Sequence, residues 1–342
     1  MQTIKTRSHL IPLILGALLA LLVVANATFQ YLSFTEMQER FRARFASTGR
    51  KGPSAAPVET NLVVNSAAAF ALLGAVGALG ARARYLRRAQ RWEQQLEQGR
   101  AVQTQLVPAS GVSIPNVAVA AEFVPAYEVG GDLYDVFPAQ DGRVAFSLGD
   151  VSGKGLPAAL LMGLIQGALR SGAWYRDAAS HEGFAQNLND LLCGRSAAAK
   201  FASLFWGSYD PDRGQLSYIS AGHCPGFVVR GNRLERLDSS GPVLGVLKQS
   251  RYRQVTVDFE PGDLLVLYSD GIIEATDARG DDFGEDRLAE VLARCSGSSA
   301  EHTRREILRA YRKFLGDKSP DDDVTLLVLE AAPAVVALGA AA

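Results

Sequence analysis

The stretch Val144-Ala145-Phe146-Ser147-Leu148-Gly149-Asp150-Val151-Ser152-Gly153-Lys154-Gly155 sets a short apolar run against one carboxylate and three glycines. An apolar run of this length, closed by glycines, reads as a buried strand running into a tight turn. Asp150 stands at the strand's end, so its origin is fixed and its tip is turned to solvent. The arrangement recurs. Asp270 follows the run Leu264–Ser269 and precedes Gly271. Asp321, Asp322 and Asp323 precede the run Val324–Leu329. Asp132 and Asp135 lie in Gly130-Gly131-Asp132-Leu133-Tyr134-Asp135. Taken singly, an Asp-Gly pair after a strand is a turn and three consecutive aspartates are a solvated loop or a cap. Taken together, strand-end carboxylates that converge make an all-oxygen site suited to Mg²⁺ or Mn²⁺. Neighbouring glycines let backbone carbonyls approach it.

Outward from this stretch, runs at 117–123, 202–209, 216–220, 226–230, 252–259, 264–268 and 324–329 also read as strands. Segments 157–171, 181–194, 285–295 and 300–315 read as helices. Strands dominate and often follow one another at hairpin spacing, which favours a layered α+β domain over a doubly wound parallel sheet. This domain is expected over 109–331, with a disordered Ala-rich tail at 332–342.

The first hundred residues differ in kind. Residues 1–107 hold 13 Lys/Arg against 5 Asp/Glu, a net of +8, and the remainder carries −9. Leu10–Ala25 is apolar apart from Pro12 and Gly16, and the 20 residues Leu62–Ala81 contain no charge. A stretch of about 20 apolar residues crosses a hydrocarbon core of roughly 30 Å. Two transmembrane helices are therefore expected, at 1–28 and 61–81, joined by a short extracytoplasmic loop at 29–60. Lys5 and Arg7 before the first segment, and Ala25-Asn26-Ala27 after it, also fit a cleavable signal peptide. The basic run Arg82-Ala83-Arg84-Tyr85-Leu86-Arg87-Arg88 places the following domain in the cytoplasm, at the inner membrane. Gly74/Ala78 and Gly77/Ala81 are small residues four apart, a spacing that lets two such helices pair into a homodimer. Positions 85, 89, 92, 96, 99, 103 and 106 follow a 4-3 spacing over a linker helix at 82–108. They form a narrow seam resembling a short coiled coil, weakened at Gly99 and Gln103 and ended by Pro108.

The whole chain, 342 residues with a net charge of −1, is not that of a general nucleic-acid binder. Cys193, Cys224 and Cys295 are widely spaced, which excludes a zinc cluster or a disulfide framework and reads as three neutral thiols in a reducing compartment. Gly153-Lys154-Gly155 is not a phosphate-binding loop, since neither the earlier glycine nor a following Ser/Thr is present. There is no GxGxxG, HExxH or GxSxG. His223, in Ala221-Gly222-His223-Cys224-Pro225, reads as a buried or turn-capping histidine.

Six stretches together resemble one family. They are Val129–Asp135, Gly149–Gly155, Ala221-Gly222-His223, Gly241-Pro242-Val243-Leu244-Gly245, Tyr268–Ala275 and Asp322-Asp323-Val324-Thr325. In this order the chain from about Val102 to Glu330 is similar to the stage II sporulation protein E branch of the PPM (protein phosphatase 2C) family, bacterial metal-dependent serine/threonine phosphatases. The resemblance implies a four-layer αββα sandwich of two antiparallel sheets flanked by helices. It implies two Mn²⁺ or Mg²⁺ ions. Asp150 would bridge both, with the Val151 carbonyl as a further ligand, and Asp270 and Asp322 would complete one of them. Asp132 and Asp135 would hold water on the metals or orient the site. Asp150 and Asp270 are the residues on which catalysis would depend. No arginine near Asp132 offers a phosphate clamp. The implied substrate is a phosphoprotein, with an anti-sigma-factor antagonist as the type of target. A catalytically silent membrane scaffold of the same fold, and a small-molecule two-metal phosphohydrolase, are the competing readings.

Overall fold

The structure, a computed structural model, describes residues 10–46, 56–108, 114–139, 142–171, 181–195 and 200–332. Two compact units divide it, residues 1–94 and 95–342.

The first unit is helical. Helix α1 (Leu10–Ala46) runs on through residues 29–46, where a loop was expected. The reason is local: Thr28–Ala46 holds neither Gly nor Pro, and Glu, Gln, Met and Arg favour the helix. The hydroxyls of Thr28 and Thr35 donate to the carbonyls of Val24 and Leu32, so these β-branched residues are satisfied within the helix. Helix α2 (Ala56–Leu106) is continuous over 51 residues, with Pro57 in its first turn, where a missing N–H costs nothing. It ends two residues before Pro108, as expected. Among the described residues one stretch, within Ser66–Leu106, is long and apolar enough to cross a membrane. It coincides with the second expected span; the first expected span falls largely outside the residues whose side chains are described. The expected tail lies, apart from Ala332, outside the described residues.

The second unit is a sandwich of two five-stranded antiparallel sheets. One sheet runs in the order β1 (Val117–Val124), β10 (Val324–Ala331), β9 (Leu264–Tyr268), β6 (Gly226–Arg230), β7 (Arg233–Leu237). The other runs β2 (Leu133–Pro138), β3 (Val144–Val151), β4 (Ala202–Asp210), β5 (Gln215–Ala221), β8 (Val255–Asp258). Between them Tyr134, Phe146, Phe205, Val228, Leu265 and Leu327 form the central core. Helices α3 (Leu156–Arg170) and α4 (His181–Arg195) cover the outer face of the second sheet through Met162, Ile165, Leu169, Leu188 and Leu192. Helices α6 (Gly284–Arg294) and α7 (Ala300–Leu315) cover the first through Leu288, Leu292, Ile307 and Tyr311. The four-layer αββα expectation is met. β2 and β7 were not foreseen as strands. β2 is disguised by Asp135 within it and Pro138 at its end, and β7, Arg-Leu-Glu-Arg-Leu, is a mostly exposed edge with too few apolar positions to read.

The expected helical seam is only partly a seam. From Gln95 onward α2 belongs to the second unit. There Gln103 is buried, Val107 joins the central core, and Gly99 sits against Val129. The end of the linker helix therefore packs on its own domain.

Candidate active site

Strand order places the carboxylates. Asp150 is the penultimate residue of β3, paired across the ladder with Ser203. Asp132 precedes β2, whose first residue, Leu133, pairs with Gly149. In the other sheet, Asp270 opens the short helix α5 (Asp270–Ile273) directly after β9, and Asp322 and Asp323 precede β10, the partner of β9. The four termini meet where the two sheets face each other. Thr325 at the start of β10 donates its hydroxyl to Asp132, a bond that crosses between the sheets.

Close backbone approach makes this packing feasible. A Cβ on Gly131 would lie 2.7 Å from the Val151 carbonyl oxygen and 3.2 Å from Asp150 Oδ1. A Cβ on Gly271 would lie 2.0 Å from the Asp323 carbonyl oxygen. These are contacts no side chain permits, so both positions are glycine because the acidic strand ends crowd there.

The charges are mutually unfavourable. Burial, then the negative charges of Asp270, Asp322 and Asp323, push the Asp150 carboxyl up to about 7. Burial, then Asp150, holds Asp132 well above the usual carboxylate range. Asp270 is raised by burial, Glu274 and Asp322. Carboxylates held so close repel one another, and a cation among them would relieve that repulsion. All are hard oxygen donors, and the Val151 carbonyl beside them is another, so the donor set fits a hard divalent ion. Among the described residues, no three Asp, Glu, His or Cys side chains are drawn together tightly enough to form a finished cage. Lys154 partly offsets the charge: its Nζ lies 3.3 Å from Asp322 Oδ2 and donates to the Asp321 carbonyl at 2.9 Å.

Asp132, Asp150, Asp270 and Asp322 are thus gathered, with Val151 beside them. Asp135 is not. Its carboxylate is fully buried and held by the Arg170 guanidinium through two bonds of 2.5 and 2.6 Å. The cause is the two-residue period of a strand. Tyr134 and Val136 face the central core, while Leu133 and Asp135 face α3, where Arg170 ends the helix. The expectation that Asp135 would join Asp132 at the metal-binding end is corrected on this ground.

Asp323 has a different task from Asp322. Its Oδ1 accepts from the Ala126 N–H at 2.8 Å and its Oδ2 from the Gly131 N–H at 2.7 Å. It pins the loop that carries Asp132. A second clamp on this loop comes from α2. Gln103 Nε2 donates to the Gly130 carbonyl at 2.8 Å, and the Gly130 N–H donates to Gln103 Oε1 at 3.1 Å. Sequence reasoning took Gln103 for a flaw in the seam; a lone amide at an otherwise apolar helical position was the signal available.

His223 is buried, as expected. Its Nδ1 lies 2.7 Å from the hydroxyl of Ser203, the residue paired with Asp150, and burial pushes the imidazole down to about 4, so it is neutral. Burial and the nearby Asp270 and Glu274 push the Cys224 thiol up to about 12, which leaves it inert as a nucleophile.

The family model described as stage II sporulation protein E (SpoIIE) matches residues 140–332. Over 225 residues the chain is 33% identical to "Phosphoserine phosphatase RsbU" of Bacillus subtilis, covering 64% of this chain and 65% of that one. Over 224 residues it is 34% identical to "Protein IcfG" of Synechocystis sp., covering 58% and 35%. The chain therefore spans about a third of one curated relative and just under two thirds of the other. Among solved structures, the SiaA-PP2C domain of Pseudomonas aeruginosa superposes with a TM-score of 0.62 at 20% identity, over 71% of this chain and 98% of that one. That likeness speaks to the fold.

Proposed function

Since the chain belongs to the stage II sporulation protein E family of PPM-type phosphatases, we propose that it is a metal-dependent phosphoserine/phosphothreonine protein phosphatase. The observation that carries the reading is the convergence of Asp132, Asp150, Asp270 and Asp322, two from each sheet, with Asp150 raised to about 7 by burial and by the charges of its neighbours. Asp150, the Val151 carbonyl, Asp270 and Asp322 would hold two divalent ions, Mn²⁺ or Mg²⁺, with Asp132 orienting the site. The chemistry such ions would supply there is a more acidic bound water and charge to offset the phosphoryl oxygens. The chain's own residues do the rest. Thr325 holds the Asp132 carboxylate in one orientation. Gln103 and Asp323 fix the main chain at Gly130 and Gly131, respectively. Lys154 lies at the rim, the one cation beside Asp322 among the described ion pairs, and can meet a phosphoryl oxygen where no arginine is at hand. No side-chain nucleophile is needed, which agrees with the inert Cys224.

The apolar part of α2 would anchor the protein in the inner membrane, with the basic run at 82–88 and the phosphatase unit on the cytoplasmic side. Gly74, Gly77 and their alanine partners would pair two copies. The substrate would be a phosphoprotein, in keeping with the phosphoserine phosphatase activity by which the Bacillus relative is named, with an anti-sigma-factor antagonist as the proposed type of target. Substituting Asp270→Asn tests the assignment. Phosphate release should fall to near background while the domain stays folded, and turnover within a few-fold of the parent would refute it.

A further inference from the structure

Helix α7 carries five basic residues against two acidic ones, in a domain whose net charge is strongly negative. Arg304 is consumed locally, bound by Glu301 and by Glu122 of β1. Arg305, Arg309 and Arg312 are different. Their side chains are 64%, 80% and 70% exposed, and each meets one carboxylate only loosely, at 3.7, 3.8 and 3.6 Å. Most of their fork-like donor capacity therefore faces water. The three guanidiniums line a cavity of about 340 Å³ together with Glu122 and Leu308.

This cavity shares Glu122, Leu308 and Arg312 with a second one of about 190 Å³, lined by Val124, Leu315 and Val324. Lys318 and Pro320 line it as well. Pro320 and Val324 bracket Asp321–Asp323, so the groove runs from the arginines, beside the edge strand β1, to the rim of the acidic site. We infer that this groove docks an acidic segment of the phosphoprotein substrate. Its carboxylates would meet Arg305, Arg309 and Arg312, an apolar side chain would enter between Val124, Leu315 and Val324, and the phosphorylated residue would be brought to the site. The inference rests on the phosphatase reading. Its physical motive is that a domain of strongly negative net charge repels an acidic substrate segment unless a positive patch captures it first. A concave groove with an apolar floor suits a peptide better than the flat surface of a lipid bilayer.

The test uses the full chain with Mn²⁺ and two phosphoserine peptides of equal length, one with Asp/Glu beside the phosphoserine and one with Ser/Gly in their place. The parent should prefer the acidic peptide in kcat/KM by about tenfold, the equivalent of about 1.4 kcal/mol. The double substitution Arg305→Glu/Arg309→Glu should abolish that preference through KM. Equal kcat/KM for both peptides in the parent, or a preference that survives the substitution, overturns the inference. Arginine-dependent binding to phosphatidylglycerol vesicles together with no peptide preference would also overturn it, marking a membrane-facing patch. If neither peptide releases phosphate, the phosphatase reading fails separately. Fluorescence anisotropy of an unphosphorylated acidic peptide then decides the groove: binding lost on double substitution supports it, and no binding to the parent overturns it.

Discussion

Asp150→Asn separates what the acidic cluster costs from what it does. Burial and three neighbouring carboxylates keep a proton on Asp150 up to about pH 7, where an unfolded aspartate releases it near 3.8. At about 1.4 kcal/mol for each pH unit, that difference corresponds to about 4 kcal/mol as an upper bound, and partial exposure reduces it to about 1–3 kcal/mol. The sign follows from linkage. The folded-state pKa lies above the unfolded one, so below about pH 4 both states hold the proton and there is no penalty. As pH rises the unfolded chain ionises first, and the folded state loses stability until Asp150 itself ionises near pH 7. Asparagine keeps the shape and removes the charge. The metal-free variant should therefore be more stable than the metal-free parent at pH 7.5, with a gap that shrinks towards zero by about pH 4. Urea denaturation in EDTA across this range measures it. Mn²⁺ should reverse the order, stabilising the parent more than the variant. A variant no more stable than the parent at pH 7.5 in EDTA, or a gap indifferent to pH, would refute the claim that the carboxylates repel one another for want of a cation.

The separation of Asp135 predicts the opposite pattern. Asp135→Asn deprives the half-exposed Arg170 of its buried counter-charge and should cost about 1–2 kcal/mol in denaturant midpoint experiments, since the guanidinium can turn to water. Mn²⁺ affinity per folded molecule, read by calorimetry, should stay near that of the parent. Gln103→Ala strands the N–H and C=O of Gly130, each at a cost of about 1–3 kcal/mol if no water replaces the amide. It should speed hydrogen exchange at Gly130 and Gly131 and lower kcat more than it raises KM; unchanged exchange there would deny the clamp.

The apolar runs before Asp150, Asp270 and Val324 made most of both sheets legible, because a buried strand bounded by glycine is hard to read otherwise. The convergence of these acids was legible only through their joint pattern; Asp322 alone would have passed for loop. Three features escaped. No strand was assigned to Leu133–Pro138, so the alternation that sends Asp132 inward and Asp135 towards α3 went unseen. Asp323, next to a ligand candidate, turned out to spend its carboxylate on backbone amides 192 and 197 residues away in the chain, a contact that no local pattern encodes. Gln103 looked like an interruption because its partner, a peptide group of Gly130, has no side chain to announce it. Local periodicity reports which face is apolar. It does not report where a polar group will be satisfied.

The most direct measurement is phosphate release from a phosphoserine protein by the full chain with Mn²⁺, repeated with EDTA and with Asp150→Asn. The account predicts release that requires both the metal ion and Asp150. Release that persists in EDTA, or that is as fast in Asp150→Asn as in the parent, would contradict it.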